Sequence, residues 1–294
     1  MIPQTGDASE PVRIEPMGVT DGRAVIACCQ ALYGNPLVEL VVGESLHPGG
    51  LDGTRQLLEA SGLRPGQRLL DAGCGLGASA RVAAAGYGLR VDAVDADASV
   101  LERAEARSLG GSVAWHRADI AALPFDDQTF DGALAECVLS TLAREDALAE
   151  LRRVLRPGGV LAMSDVETDG DPIAALAEHR LLGAAMCITD AWRPGELPAR
   201  LGAAGFRLER RWDRSTAILT LLDRIEGRLA IGRSAARTLG LDLSTLARVP
   251  WSDEGGEDLS RLHGLADDVR AAVARGSLRY FACVAVADGS ATEC

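Results

Sequence analysis

Residues 69–77 read Leu-Leu-Asp-Ala-Gly-Cys-Gly-Leu-Gly. An apolar run that ends at an acid and turns through alternating glycines lets backbone approach a ligand without Cβ clashes. Asp71, Gly73, Cys74 and Gly75 are therefore candidate ligand contacts. A helix opening after such a turn offers free N–H groups and a partial positive charge, suited to a carboxylate or phosphate. Nicotinamide dinucleotides use the same geometry, so three further acids decide the occupant. Asp71 stands two residues before Gly73, where it repels a pyrophosphate and favours an ammonium group. Asp95 ends the next apolar run, the place where an acid accepts from ribose hydroxyls, and Ala96 follows it as a backbone or packing contact. Asp119 can accept from an adenine amino group, and Ile120 can pack on the ring. Together these residues describe a site for a nucleoside that carries an amino acid.

The elements that hold these residues repeat as strand, turn, helix. Strands are expected at 68–71, 89–95, 112–116, 130–137 and 160–165, with helices at 78–85, 97–109 and 145–155. Asp97 or Ser99 caps the second helix, and Pro157-Gly158-Gly159 ends the third. Such alternation implies a parallel sheet wrapped by right-handed crossovers. Leu123-Pro124-Phe125 reads as a packing corner. Beyond residue 190, a helix from Pro194, a strand at 206–214 and a final apolar strand at 279–287 are expected. Ile218, Leu221, Leu222, Ile225 and Leu229 share one helical face, and Leu259, Leu262, Ala266, Val269 and Val273 share another. The expected organisation is a leader at 1–18, then one domain. That domain comprises a helical cap at 19–66, a core at 67–215, a helical insertion at 216–276 and a last strand and tail at 277–294.

The glycine turn, the Val94-Asp95 strand end, Leu123 to Asp131 and Arg153-Val154-Leu155-Arg156-Pro157-Gly158-Gly159 resemble the class I S-adenosylmethionine methyltransferases. The general look is closest to the branch with the ubiquinone and menaquinone methyltransferases, over residues 65 to 165. The resemblance implies an α/β, Rossmann-like sheet of seven strands, mostly parallel, whose last strand is antiparallel. It implies S-adenosyl-L-methionine as cofactor and a small-molecule methyl acceptor. It also places Asp71, Gly73, Gly75, Asp95, Asp119 and the backbone near Glu136 around the cofactor.

The acceptor meets the cofactor at the carboxyl ends of the strands. Glu136, Cys137, Ser140 and Thr141 are expected there, with Asp165 at the end of strand five. Glu136-Cys137-Val138-Leu139-Ser140, Ser164-Asp165-Val166 and Gly183 to Thr189 are similar to arsenite methyltransferases. On that pattern Cys137 and Cys187 are thiolate ligands of a soft acceptor, although Glu136 replaces the asparagine usual there. The acceptor classes left open are a thiol, arsenite, a selenium compound or another small organic molecule. Glu136, Cys137 and Cys187 are the candidate catalytic residues. The other cysteines read as small apolar residues: Cys28 and Cys29, Cys74 in the turn, Cys283 in the last strand, and Cys294 on the tail. Tyr33 and His47 come from a segment that often lids such a site, and each reads equally as packing or turn. No histidine has a partner at metal-ligand spacing.

The formal charge of −12 disfavours a nucleic-acid partner. No apolar run reaches the ~20 residues of a membrane span, and residues 1–10 lack a secretory pattern. With scattered, odd-numbered cysteines, a cytoplasmic setting is expected. A nicotinamide-dependent oxidoreductase and a non-catalytic subunit of the same fold are the competing readings.

Overall fold

Apolar residues alternate along the central strands, and the alternation decides which helical layer each one meets. Leu69, Leu134, Ala162 and Ala282 face one side of the sheet, and Leu70, Ala133, Met163 and Phe281 face the other. The computed structural model describes residues 39–40, 42–45, 47–108, 111–142, 144–170, 190–239 and 259–289. Its elements in chain order are α1 (Gly50–Ser61), β1 (Arg68–Ala72), α2 (Ala78–Tyr87), β2 (Arg90–Asp95), α3 (Ala98–Ala106) and β3 (Val113–Arg117). They continue as β4 (Phe130–Glu136), α4 (Arg144–Val154), β5 (Leu155–Thr168), α5 (Glu196–Ala203) and β6 (Phe206–Asp213). The last three are α6 (Thr216–Leu239), α7 (Leu259–Arg275) and β7 (Leu278–Ala287).

The strands form one seven-stranded sheet in the order β3-β2-β1-β4-β5-β7-β6. Neighbours from β3 to β5 are parallel, and β7 runs antiparallel to both β5 and β6. This is the Rossmann-like arrangement expected from the sequence. The chain order reverses between β1 and β4, so a crevice opens beyond their carboxyl ends. One face of the sheet packs Leu57 and Leu58 of α1 with Ala80 and Ala83 of α2. The alanines let α2 lie close, which brings its first turn to the end of β1. Leu148 and Leu151 of α4 cover the other face. Asp97 is the cap of α3, accepting from Ser99 N at 2.8 Å and Val100 N at 3.3 Å. Phe125 packs edge-on against Phe130 and His116, so Leu123-Pro124-Phe125 is a corner of the core.

Two expectations need correction. The fifth strand is not confined to 160–165 but runs Leu155–Thr168, and Pro157-Gly158-Gly159 lies inside it. The register explains this: Phe130 pairs with Leu155 and Gly132 with Val160, so residues 156–159 bulge outward between two paired points. The distal part continues because β7 pairs with every residue from Val160 to Thr168. In consequence Asp165 is not at a strand end facing ligand. Its side chain is fully buried and accepts from Ser140 N at 3.0 Å, Val166 N at 2.9 Å and Trp192 Nε1 at 3.2 Å. Ser140 is thereby turned inward with its hydroxyl buried, away from the crevice. Arg144 completes the clamp. Its guanidinium stacks over Trp192 at 4.2 Å and its Nε donates to Leu139 O at 3.1 Å.

The expected leader at 1–18, the first part of the helical cap at 19–38, Tyr33, Cys28, Cys29, Cys187 and Cys294 lie outside the described residues. Among the described residues no helix is long and apolar enough to cross a membrane.

Asp165 thus pins the loop after β4 to the core. Asp165→Ala leaves a buried amide and an indole N–H without partners. The expected loss is about 2–4 kcal/mol of stability, read from the urea midpoint. A change below about 0.5 kcal/mol would show that the loop is held otherwise.

Candidate functional site

The glycine turn between β1 and α2 is tied to the end of β2. Gly73 N and Cys74 N both donate to Val94 O at 2.9 Å, and Gly75 N donates to Asp95 Oδ2 at 3.0 Å. Gly77 N donates back to Cys74 O at 2.9 Å. Two glycines are required sterically. Gly73 has φ +74°, and a Cβ there would lie 2.5 Å from Val138 Cγ2. Gly77 has φ +72°, and its Cβ would lie 2.2 Å from Trp115. The turn therefore has no N–H to spare at these four positions. The helix terminus expected to greet an anion is likewise occupied, because Ala80 N–H bonds the Asp71 carboxylate.

A cavity of about 170 Å³ lies over this turn. All the expected cofactor contacts line it: Asp71, Gly73, Cys74, Gly75, Asp95, Ala96, Asp119, Ile120 and Glu136, and Cys137 with them. Its charged lining is one-sided. Among the described residues six acids line it, Glu44, Asp71, Asp95, Asp97, Asp119 and Glu136, and no lysine or arginine does. Such a field disfavours a pyrophosphate and attracts a cation. This weighs against the nicotinamide reading more directly than Asp71 alone.

Asp71 is the centre of that field. It is 3% exposed, and its Oδ2 is buried without a hydrogen-bond partner. Burial holds its pKa well above the usual carboxylate range, with Glu136 and Asp95 adding repulsion. Asp95 is also raised by burial, against which the Asp97 and Gly75 N–H groups stabilise its anion. Gly75 N–H holds Oδ2, Asp97 N–H holds Oδ1 and Ala96 N–H adds a third bond, which leaves lone-pair capacity for a further donor. Asp119 caps a 3₁₀ turn through Ala121 N at 2.9 Å, and Ile120 is buried beside it.

Glu136 ends β4 and gathers hydroxyls from two helices. Ser79 Oγ donates to it at 2.6 Å and Thr54 Oγ1 at 3.0 Å, while His47 Nε2 stands 3.4 Å away. Cys137 follows with φ +56°, a left-handed conformation that costs a non-glycine residue on the order of 1 kcal/mol. Its N–H donates to Ser164 O at 2.8 Å. The Tyr280 phenol bonds the Cys137 thiol and donates to Ser164 Oγ at 2.8 Å. Burial first, then Cys137 and Glu136, push the Tyr280 pKa well above its ordinary value.

Ser140 and Asp165 are not among the cavity residues; Thr141 is. Cys187, the expected second thiol, lies outside the described residues. Cys74 is buried, and burial with Asp71 and Asp95 raises its pKa well above the ordinary thiol value. Cys283 is pushed up to about 12 by burial. Neither is a reactive thiolate. Among the described residues no cluster of three or more His, Cys, Asp or Glu side chains could hold a metal ion. Thr54, Ser79 and Tyr280 were not singled out from sequence. Nothing local marks them, since their partners stand 82, 57 and 116 residues away.

Residues 70–163 match the family model described as a methyltransferase domain. An uncharacterized methyltransferase of Bacillus subtilis is 39% identical over 117 residues, which cover 39% of this chain and 50% of the relative. A 2-phytyl-1,4-naphtoquinone methyltransferase of Synechocystis is 38% identical over 122 residues, covering 39% of this chain and 51% of the relative. The chain spans about half to three-fifths of the length of the curated relatives it matches. The geranyl diphosphate C-methyltransferase of Streptomyces coelicolor, solved with S-adenosyl-L-homocysteine, superposes with a TM-score of 0.60 at 16% identity. That match covers 81% of this chain and 79% of the other. Residues 70–163 thus match a methyltransferase domain, and the sheet as a whole shares the fold of that solved structure.

The unmet Asp71 oxygen sets a stability test. A carboxyl whose folded pKa is raised contributes stability at pH below its unfolded pKa, and that contribution is lost as pH rises through the folded pKa. Asp71→Asn keeps the shape and removes the charge. The ligand-free variant is expected to unfold at higher urea than the parent at pH 8, with the difference shrinking as pH falls. A variant less stable than the parent at every pH would show that the ionised group is structural.

Proposed function

We propose that this chain is an S-adenosylmethionine-dependent methyltransferase acting on a small-molecule acceptor. The observation that carries the reading is the buried Asp71 carboxylate, whose free oxygen faces a cavity lined by acids and by no fixed cation. An ammonium group supplies the missing partner, and a positively charged sulfonium suits the same field. When bound, the cofactor supplies a methyl group on sulfonium, electrophilic toward a nucleophile held in line.

The residues divide the work by position. Asp71 holds the ammonium group. Asp95, fixed by Gly75 and Asp97, accepts the ribose hydroxyls on its remaining lone pairs. Asp119 accepts from the adenine amino group, and Ile120 and Ala96 pack on the ring. Gly73, Cys74 and Gly75 form the floor, where a Cβ at Gly73 would displace Val138. The end of β4 is the acceptor side: Glu136 and Cys137, with Thr141 and Leu142, border the cavity there. Glu136, held by Ser79 and Thr54, is positioned to orient an acceptor proton. The His47 segment closes the cavity against water on that side.

Calorimetric titration with S-adenosylmethionine tests this reading. The parent is expected to bind at micromolar affinity, on the order of −8 kcal/mol. Asp71→Asn is expected to weaken binding about 30-fold or more, and Asp95→Ala about tenfold, with the fold retained. Affinity is also expected to fall as pH is lowered through the raised Asp71 pKa, because the neutral carboxyl no longer meets the ammonium. A parent that binds neither this compound nor S-adenosylhomocysteine would overturn the proposal.

A further inference from the structure

The chain carries a net −12 and the cavity is lined by acids, yet three arginines gather along the segment whose Glu44, Ser45 and His47 line it. Arg214 follows β6, and Arg224 and Arg228 lie one turn apart on α6. All three reach over the glycine-rich segment that leads into α1. The Cβ position on Gly43 lies 3.3 Å from Arg228 Nη1, that on Gly49 lies 3.7 Å from Arg214 Nη2, and that on Gly50 lies 3.8 Å from Arg224 Nη2. The guanidinium groups therefore rest against backbone.

They rest there at an unfavourable place. α1 starts at Gly50, and its N-cap, Gly49, has no side chain to accept from the first turn. Gly50 N–H donates to His47 O at 3.2 Å, and no side chain caps the N–H groups of Leu51 and Asp52, where the end of the helix carries a partial positive charge. Guanidinium groups brought to that end repel it unless an anion lies between them. The neighbouring carboxylates are committed elsewhere. Asp52 pairs with Arg55 at 2.8 Å, Glu44 with Arg81 at 3.1 Å, and Glu39 with Arg103 and Arg107. On α6 itself, Asp223 and Glu226 pair with Arg270 at 2.8 and 2.7 Å. Arg214 donates to Gln56, a neutral group, and Arg228 to Leu40 O at 3.3 Å. Arg224 has no hydrogen bond or ion pair among the described residues.

His47 points to the same spot independently. It is 8% exposed, and its Nε2 engages Ser45 at 2.9 Å and faces Glu136. Its buried Nδ1 has no partner. That atom lies 3.7 Å from the Cβ position of Gly49, the point from which Arg214 Nη2 is also 3.7 Å away. His47 belongs at once to this arginine rim and to the cavity lining, so the rim adjoins the acceptor side of the site.

We propose that Arg214, Arg224, His47 and the first turn of α1 bind the anionic group of the methyl acceptor, a phosphate or a carboxylate. Held there, the acceptor presents its nucleophile toward the end of β4. Arginine suits this task because its planar fork matches both anions with paired hydrogen bonds. The inference rests on the methyltransferase reading for what the anion belongs to, but the anion site itself stands apart from it. The acid-lined cofactor cavity and the basic rim then sort the two substrates by charge.

The test is a titration of the chain saturated with S-adenosylhomocysteine, in one arm with inorganic phosphate and in the other with acetate. One of the two is expected to saturate the protein on the order of 1 mM, and which one it is separates organic phosphates from carboxylic acids as acceptors. Arg224→Ala removes an exposed side chain without a hydrogen-bond or ion-pair partner among the described residues, so the fold is expected to persist, with an unchanged thermal midpoint. That variant is expected to bind the effective anion about tenfold more weakly, while its affinity for S-adenosylhomocysteine stays within about twofold. Saturation by neither anion, or equal anion affinity in the variant, overturns the proposal. If the parent fails to bind S-adenosylhomocysteine, the methyltransferase reading falls, and the same titrations on the free chain still decide whether the anion site exists.

Discussion

A buried carboxylate with one oxygen unmet is the constraint around which this site is arranged. Asp71 sits at the end of β1, the strand next to the sheet's switch point, and is 3% exposed. Leaving such a group unpaired is costly, and the structure around it does little to relieve the cost. Only Ala80 N–H reaches it, while Glu136 and Asp95 add repulsion. The rest of the turn serves to keep it so. Gly73, Cys74 and Gly75 send their N–H groups to Val94 and Asp95 and not to Asp71. Stability is given up locally in favour of a site that a cation completes.

The proposed acceptor side is built differently, from groups that come together only in the folded chain. Glu136 is met by α1 and α2 through Thr54 and Ser79, and by the preceding segment through His47. Cys137 is forced into a left-handed conformation because its N–H must reach Ser164 on β5, while Asp165 on that strand draws the following loop inward through Ser140. The loop that borders the reaction space is therefore fixed from below by β5. Covering elements of opposite charge meet at its edge, with carboxylates inside and arginines on α6 outside.

How much of this was legible in the sequence follows from how local each signal is. Asp71, the glycines, Asp95 and Asp119 are read from short runs, since each is set by a strand ending and a turn beginning, and all of them line one cavity. The strands of the sheet were legible for the same reason, while the antiparallel last strand was implied by the methyltransferase resemblance. Thr54 and Tyr280 left no trace, because a threonine in an amphipathic helix or a tyrosine in an apolar strand looks like packing until its partner is known. Asp165 was misplaced because Pro157-Gly158-Gly159 and a polar residue after an apolar run look like strand boundaries. Pairing with β7 carries the strand through both signals. The arginine rim needs α6 to lie across the start of α1, a contact between segments about 170 residues apart that no local pattern encodes.

The central claim is that a cation meets an Asp71 carboxyl whose pKa burial raises well above the ordinary range. The most direct measurement is the proton balance of S-adenosylmethionine binding, obtained by calorimetry in buffers of different ionisation enthalpy across about pH 5–8. The account requires protons to leave the protein on binding, with the number released falling as pH rises past the free carboxyl's pKa. Binding with no proton exchanged anywhere in that range would contradict it.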